Sequence, residues 1–455
     1  MKVAQAIRGM KSCIIAPLAV LWLLWPLPAW ALDVQEVVSP GGIMAWLVED
    51  HSVPLISLSM GFHGGASVDP EGKGGLARFT SALLDEGAGD LDSRAFQQRL
   101  NDLAIELRFD AGIDEFTGTM RTLTDRRDSA FELLRLALTA PRFDDEPVER
   151  IRGQLLASLA DAATDPGSIA DRILWRAAFP SHPYGRAGSG RKDSIVAINR
   201  DDLRQFVTRR LARDNLVIGV VGDITAAELK PLLDGTFGAL PLHSAEMTVA
   251  ETSLADAGVT IVADRDVPQS VILFSQPGIK RDDPDFFAVY VVNHILGGGG
   301  FSSRLTNEIR EKRGLAYSVG TDVVTLDHAG VIMGSVATKN ESAADTLSIL
   351  KSEWAHMRDE GPTEKELEEA KLYLTGSYPL RFTSTKTIAD SLVGIQLEGF
   401  GKDYFEKRNG YVNAVTIEEA RRVAKRLLDP DRLSIVVVGR PAGVSPTAAA
   451  PDDLF

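Results

Sequence analysis

A seven-residue pattern from the middle of this 455-residue chain returns near its end. Leu-Val-Ile-Gly-Val-Val-Gly at 216–222 recurs as Leu-Ser-Ile-Val-Val-Val-Gly at 433–439, a shift of 217. Ser-Leu-Ser-Met at 57–60 and Ile-Leu-Phe-Ser at 272–275 differ by 215. A nearly constant shift at both ends of a long unit predicts two copies of one domain, each of about 200 residues. The first copy reads as strands at 43–49 and 55–62, helices at 75–86 and 93–103, then strands at 104–110 and 115–123. Helices ending at 139 and covering 147–163 and 200–211 follow, and a strand at 215–221 closes the unit. The second copy repeats the order, with strands at 259–263, 270–275, 316–326, 330–336 and 433–438. The expected class is α+β: two tandem homologous domains, each a mostly antiparallel sheet covered by helices on one face. The expected boundaries are 32–242 and 259–440, with a polar linker at 243–258 and a low-complexity, disordered tail at 441–455.

The N-terminus predicts export. Lys2, Arg8 and Lys11 precede an apolar run that ends at Ala29-Trp30-Ala31, a small-x-small pattern. Residues 1–31 read as a signal peptide cut after Ala31, with the periplasm as destination and no stable membrane anchor afterwards. The chain that remains carries 46 Lys and Arg against 63 Asp and Glu. Such an acidic surface disfavours nucleic acid and anionic lipid as partners. The one cysteine, Cys13, lies within the leader, so the remainder has neither disulfides nor thiol chemistry and relies on large cores.

The run from Gly297 to Tyr317 is the chief candidate site. Gly297, Gly298, Gly299 and Gly300 interrupt a helical pattern, and Phe301 and Ser302 follow. A helix carrying Arg310 and ending at Gly314 would bring Tyr317 back beside that arginine. A guanidinium and a phenol together suit a carbonyl or a developing oxyanion. The same letters also describe a simple glycine break followed by a surface arginine and a core tyrosine.

The duplicated unit, the 297–317 run and His182-Pro183-Tyr184-Gly185 together resemble the pitrilysin/insulinase (M16) metallopeptidases, especially the mitochondrial-processing-peptidase-like branch. The resemblance spans roughly 36–440. It implies the fold of that family and directs attention to its zinc motif, His-x-x-Glu-His after Gly-Leu-Ala. Here Gly75-Leu76-Ala77 is followed by Arg78 at the first His position, Ser81 at the Glu position and Ala82 at the second His position. The third ligand position falls near Ala157 or Ser158, where no acid stands. None of the seven histidines has another within five residues, and His182 and His294 read as structural. No metal is expected on this chain.

By resemblance, Arg310 and Tyr317 are the catalytic-site residues that remain, and Gly297, Gly298, Gly299, Phe301 and Ser302 border the bound substrate. This implies a zinc-less subunit that completes the site of a zinc-carrying sister chain in a heterodimer acting on peptides or unfolded polypeptides. Two alternatives stand: a non-enzymatic peptide-binding or scaffold protein of the same fold, and a metallopeptidase acting alone.

Overall fold

The computed structural model describes residues 32–255, 258–451 and 454–455. The expected signal peptide lies outside the described residues. Among those described, eleven strands form two sheets. The first contains β1 (Gln35–Val38), β2 (Met44–Glu49), β3 (Leu55–His63), β4 (Glu106–Ala111), β5 (Glu115–Leu123) and β6 (Leu216–Gly222), in the order β1-β2-β6-β3-β5-β4. The second contains β7 (Thr260–Asp264), β8 (Gln269–Pro277), β9 (Ala316–Thr325), β10 (Gly330–Lys339) and β11 (Ser434–Gly439), in the order β7-β11-β8-β10-β9.

Apart from β1, the two orders are the same, position for position. The recurring seven-residue pattern supplies the equivalent strands β6 and β11. Each runs parallel to one neighbour, β2 or β7, and antiparallel to the other. Glu49 stands opposite Gly222 in one sheet, and Asp264 opposite Gly439 in the other.

Side-chain alternation along the strands shows what each face meets. In β3, Ile56, Leu58, Met60 and Phe62 point into the first core, with Phe79, Phe96, Phe131 and Phe206. In β8, Ile272 and Phe274 point into the second, where the fully buried Trp354 donates its indole N–H to Gln276 Oε1 (2.9 Å). The opposite faces were expected to be open, and they are not. A helix from each half crosses to the other half's sheet.

Helix Pro166–Ala178 starts on an Asp165 cap, which accepts the Ser168 N–H (2.7 Å). It presses Ile169, Ala170, Ile173 and Leu174 against Ile261, Val436 and Val438 of the second sheet. Helix Thr385–Leu397 starts on a Ser384 capping box and buries Ile388, Ala389 and Leu392 against Trp46, Val48 and Val221 of the first. Ser57 Oγ meets Thr385 Oγ1 (2.8 Å), and Gln396 Nε2 donates to Ile218 O (3.1 Å) across that seam. Each sheet is thus sandwiched between its own helices and a borrowed one, and residues Leu32–Phe455 make one compact unit of two like halves. No helix among the described residues is long and apolar enough to cross a membrane.

Of the segment expected as a disordered tail, Thr447 and Ala448 lie along β7, an edge strand. The N–H groups of Thr447 and Ala448 donate to Thr260 O (2.8 and 3.2 Å), and Ala448 pairs with Ile261 as a parallel bridge. Composition suggested a free polymer. An edge strand with unpaired backbone groups offers it a partner instead.

Candidate functional site

The glycine run follows helix Phe286–Asn293, which widens into a π-helical turn over His294–Gly298 and tightens into a 3₁₀ turn over Gly300–Ser302. This ribbon lies on β9. Gly297 is buried, and a Cβ there would stand 2.5 Å from Thr321 Oγ1. Asn293 Nδ2 donates to Thr321 O (3.2 Å) and Thr306 Oγ1 to Val319 O (3.4 Å), so two carbonyls of the edge strand are already taken.

Three further contacts fix the segment. Ser303 Oγ bonds Gly300 O (2.8 Å) and Thr306 Oγ1 (3.0 Å). The Arg304 guanidinium forks onto both oxygens of Glu366 (2.6 and 2.7 Å) and also reaches Gly361 O (3.0 Å). Glu366 closes a capping box with Thr363 as well. Burial raises its pKa, but Arg304 and the Thr363 N–H and hydroxyl outweigh burial and hold it at about 2.

A second π-helical turn, Thr306–Glu311, carries Arg310. Gly314, at φ +62°, ends it, with its N–H on Arg310 O (2.8 Å). Left-handed backbone at this point reverses the chain into β9. Tyr317 thereby returns beside Arg310, whose guanidinium carbon lies 5.0 Å from the Tyr317 ring and 4.5 Å from the Phe301 ring. The arginine is therefore clasped between two aromatic faces. Tyr317 is 84% exposed and Phe301 72%, and the phenol hydroxyl has no hydrogen-bond partner among the described residues.

The remaining candidate positions divide. Gly298 and Ser302 are exposed, although the Ser302 hydroxyl turns inward to Gly299 O (2.9 Å). Gly299 is half-buried and packs on His294. His294 is buried, stacks on Tyr373 (5.2 Å) and has its pKa lowered by burial.

The positions equivalent to a zinc site do not fit the ion. Helix Leu76–Ser81 presents Arg78 outward, where its guanidinium would repel a cation. The Ser81 hydroxyl is spent on Arg78 O (2.8 Å), and Ala82 has no donor atom. Ala157 and Ser158 are exposed on helix Asp145–Ala162. Among the described residues no group of three His, Cys, Asp or Glu could hold a metal ion. What remains is the helix's own support. Asp69 accepts the N–H groups of Gly75 (2.9 Å) and Ala77 (3.2 Å) and pairs with the buried Arg210 (3.2 Å).

Between the halves lies a cavity of about 1130 Å³, lined by Arg108, Asp110 and Glu115 from the first half and by Lys280, Asp327 and Lys386 from the second. Burial, then the nearby Asp114 charge, raises the pKa of both Glu115 and Asp327. His182-Pro183-Tyr184-Gly185 forms the joint beside it. His182 bonds Ala250 O (2.9 Å), while the Tyr184 hydroxyl donates to Asp114 (2.9 Å) and accepts the His328 N–H (3.0 Å). Sequence alone did not reveal the Arg304–Glu366 pin or the Asp69–Arg210 pair, whose partners stand far apart in the chain.

A duplicated α+β body with exchanged helices, a bare metal-site helix and an exposed aromatic–arginine clasp defines a protein of metallopeptidase architecture without the metal ligands. Residues 197–374 match the family described as Peptidase M16 inactive domain. The non-peptidase homolog YmxG of Helicobacter pylori is 30% identical over 373 residues, covering 82% of this chain and 85% of that protein. The mitochondrial-processing peptidase subunit beta of Lentinula edodes is 22% identical, covering 84% of each. The crystal structure of a peptidase M16 inactive domain from Pseudomonas fluorescens superposes with a TM-score of 0.84 at 30% identity, covering 92% of this chain and 99% of that one. The chain belongs to the peptidase M16 family and is similar to members described as inactive or as non-peptidase homologues.

Proposed function

We propose that this chain is the metal-free subunit of a two-chain peptidase in the periplasm and that Arg310 and Tyr317 grip the substrate backbone at the site of a zinc-carrying sister chain. The observation that carries this reading is the clasp itself. A guanidinium against two largely exposed rings, paired only loosely with Glu311 (3.4 Å) and beside a phenol with no hydrogen-bond partner among the described residues, supports a role toward something outside the chain. Arg310 would donate to a peptide carbonyl, Tyr317 would add its hydroxyl, and Gly298, Phe301 and Ser302 would border the bound segment.

The test uses this chain alone and co-expressed with an M16 sister that carries His-x-x-Glu-His. Bound zinc and cleavage of an unstructured peptide are measured. The expected result is zinc and cleavage with the pair only, and loss of at least tenfold in rate for Arg310→Ala or Tyr317→Phe, on the scale of removing one oxyanion donor. Cleavage unchanged by both substitutions rejects the shared site. If no pair forms but the chain alone binds the peptide, it is a peptide-binding protein instead, as the name non-peptidase homolog of its relative would suit.

A further inference from the structure

A cavity of about 260 Å³ lies where the crossing helix Thr385–Leu397 passes helices Phe286–Asn293 and Tyr404–Ala414 of its own half. Half of the residues that line it are aromatic, and they include Tyr290, Tyr378 and Tyr404, three of the chain's seven tyrosines. Charge is as unevenly placed. Arg281, Arg381 and Arg408 face a single acid, Glu398, in a chain with 63 acidic and 49 basic residues.

Hydrogen-bond donors outnumber acceptors around this space. Arg281 donates from Nε to Glu398 (2.9 Å) and from Nη2 to the Tyr404 hydroxyl oxygen (2.6 Å), while its Nη1 is buried with no partner. Its guanidinium carbon lies 3.9 Å from the Phe286 ring. Arg408, 4% exposed, donates to Leu374 O (2.7 Å) and, at a long 3.3 Å, to the Tyr290 hydroxyl oxygen. These two arginines are therefore fixed in the walls, and the free groups are different ones. The Tyr378 hydroxyl has no hydrogen-bond partner among the described residues. Arg381, exposed at the rim on the 3₁₀ turn Tyr378–Arg381, makes no ion pair among them. Burial, then the neighbouring Tyr404, pushes the Tyr378 phenol up to about 12, which keeps it a donor.

Unpaired donors around a cavity with aromatic walls define the chemistry of an occupant. A ring matches the walls by stacking, and an acid group matches the donors. The volume is that of about nine waters, enough for one ring with a short acidic arm. We propose that this cavity binds an aromatic carboxylate, either as a free small molecule or as the C-terminal aromatic residue of a peptide. The ring lies among Phe286, Phe382 and Phe405, and the carboxylate takes the Tyr378 hydroxyl and the Arg381 guanidinium at the rim. Arg281 and Arg408 add positive potential from the walls without giving up their own bonds.

The test is a ligand-observed NMR titration of the full chain with phenylacetate, its neutral analogue phenylacetamide and the non-aromatic acid cyclohexylacetate. Phenylacetate is expected to bind saturably. Phenylacetamide should bind about tenfold more weakly, the size of a lost charge-assisted hydrogen bond, and cyclohexylacetate about threefold more weakly. Arg381→Gln and Tyr378→Phe, which keep the cavity walls, should each weaken phenylacetate binding by about fivefold. Acetyl-Gly-Gly-Phe with a free C-terminus assigns the source: binding at least as tight as phenylacetate means a peptide end, and weaker binding means a free acid. No saturable binding, equal binding of acid and amide, or an affinity untouched by both substitutions would overturn the proposal. Neither substitution touches Arg310 or Tyr317, so the outcome is independent of the shared-site reading.

Discussion

Gly297 lies so close to Thr321 that a side chain at 297 would enter the space of the Thr321 hydroxyl and methyl, at 2.5 and 2.8 Å. The ribbon that presents Arg310 is thereby pressed onto β9. Gly297→Ala is expected to lower stability by about 1–3 kcal/mol, the usual cost of overpacking. Urea denaturation measures it, and a change below about 0.5 kcal/mol would show that the ribbon lifts freely off the strand.

The Arg304–Glu366 fork makes a pH-dependent contribution. Its carboxylate has a folded pKa of about 2, below the ordinary Glu value. Its stabilisation is therefore complete above the unfolded pKa, near pH 4.5, and is lost as pH falls toward 2. Glu366→Gln should cost about 1 kcal/mol at pH 7, a charge-assisted bond discounted for partial exposure, and progressively less below pH 4. Denaturation midpoints of wild type and variant at pH 7, 4 and 2.5 check this. A gap that does not narrow would assign the effect to packing.

Asp85 works in the opposite sense. Burial, then the Glu86 charge, raises its carboxyl to about 6. Between pH 4 and pH 6 the folded chain holds a proton that the unfolded chain has released, so this group lowers stability as pH rises through that window. Asp85→Asn has nothing to ionise and retains an acceptor for Gln97, which donates to Asp85 Oδ2 (3.2 Å). The variant should be about 1–3 kcal/mol more stable relative to wild type at pH 7.5 than at pH 4.5. Thermal melts at the two values decide it, and an equal difference at both would place the Asp85 pKa outside the window.

Phe301→Ala removes one side of the clasp. Global stability should change by less than about 0.5 kcal/mol, because the ring is largely exposed. Arg310 should nevertheless become more accessible to an arginine-selective dicarbonyl reagent, read by mass spectrometry of the peptide that contains it. Unchanged labelling would mean that Tyr317 alone shields the guanidinium.

The repeat was legible because β6 and β11 are buried on both faces and so read as continuous Val/Ile runs in both copies. The return of Tyr317 to Arg310 was legible because a glycine stop is a local signal. The crossing helices were not assigned, although Asp165-Pro166 and the apolar spacing of Ile169, Ile173 and Leu174 carry an ordinary helix signature. Which sheet a helix covers is a long-range matter that no local pattern states. The pairing of Thr447 and Ala448 was missed for the same reason. Its hold rests on the β7 backbone, about which composition is silent.

The exchange of Pro166–Ala178 and Thr385–Leu397 also bears on how the chain matures. The second face of the first sheet stays bare until Leu397 has been synthesised, long after β6 is complete. Until helix Thr385–Leu397 docks, an apolar surface, Trp46 and Val221 included, has no cover. Severing the polypeptide between its halves would leave two pieces whose sheets can be covered on both faces only when the pieces find each other.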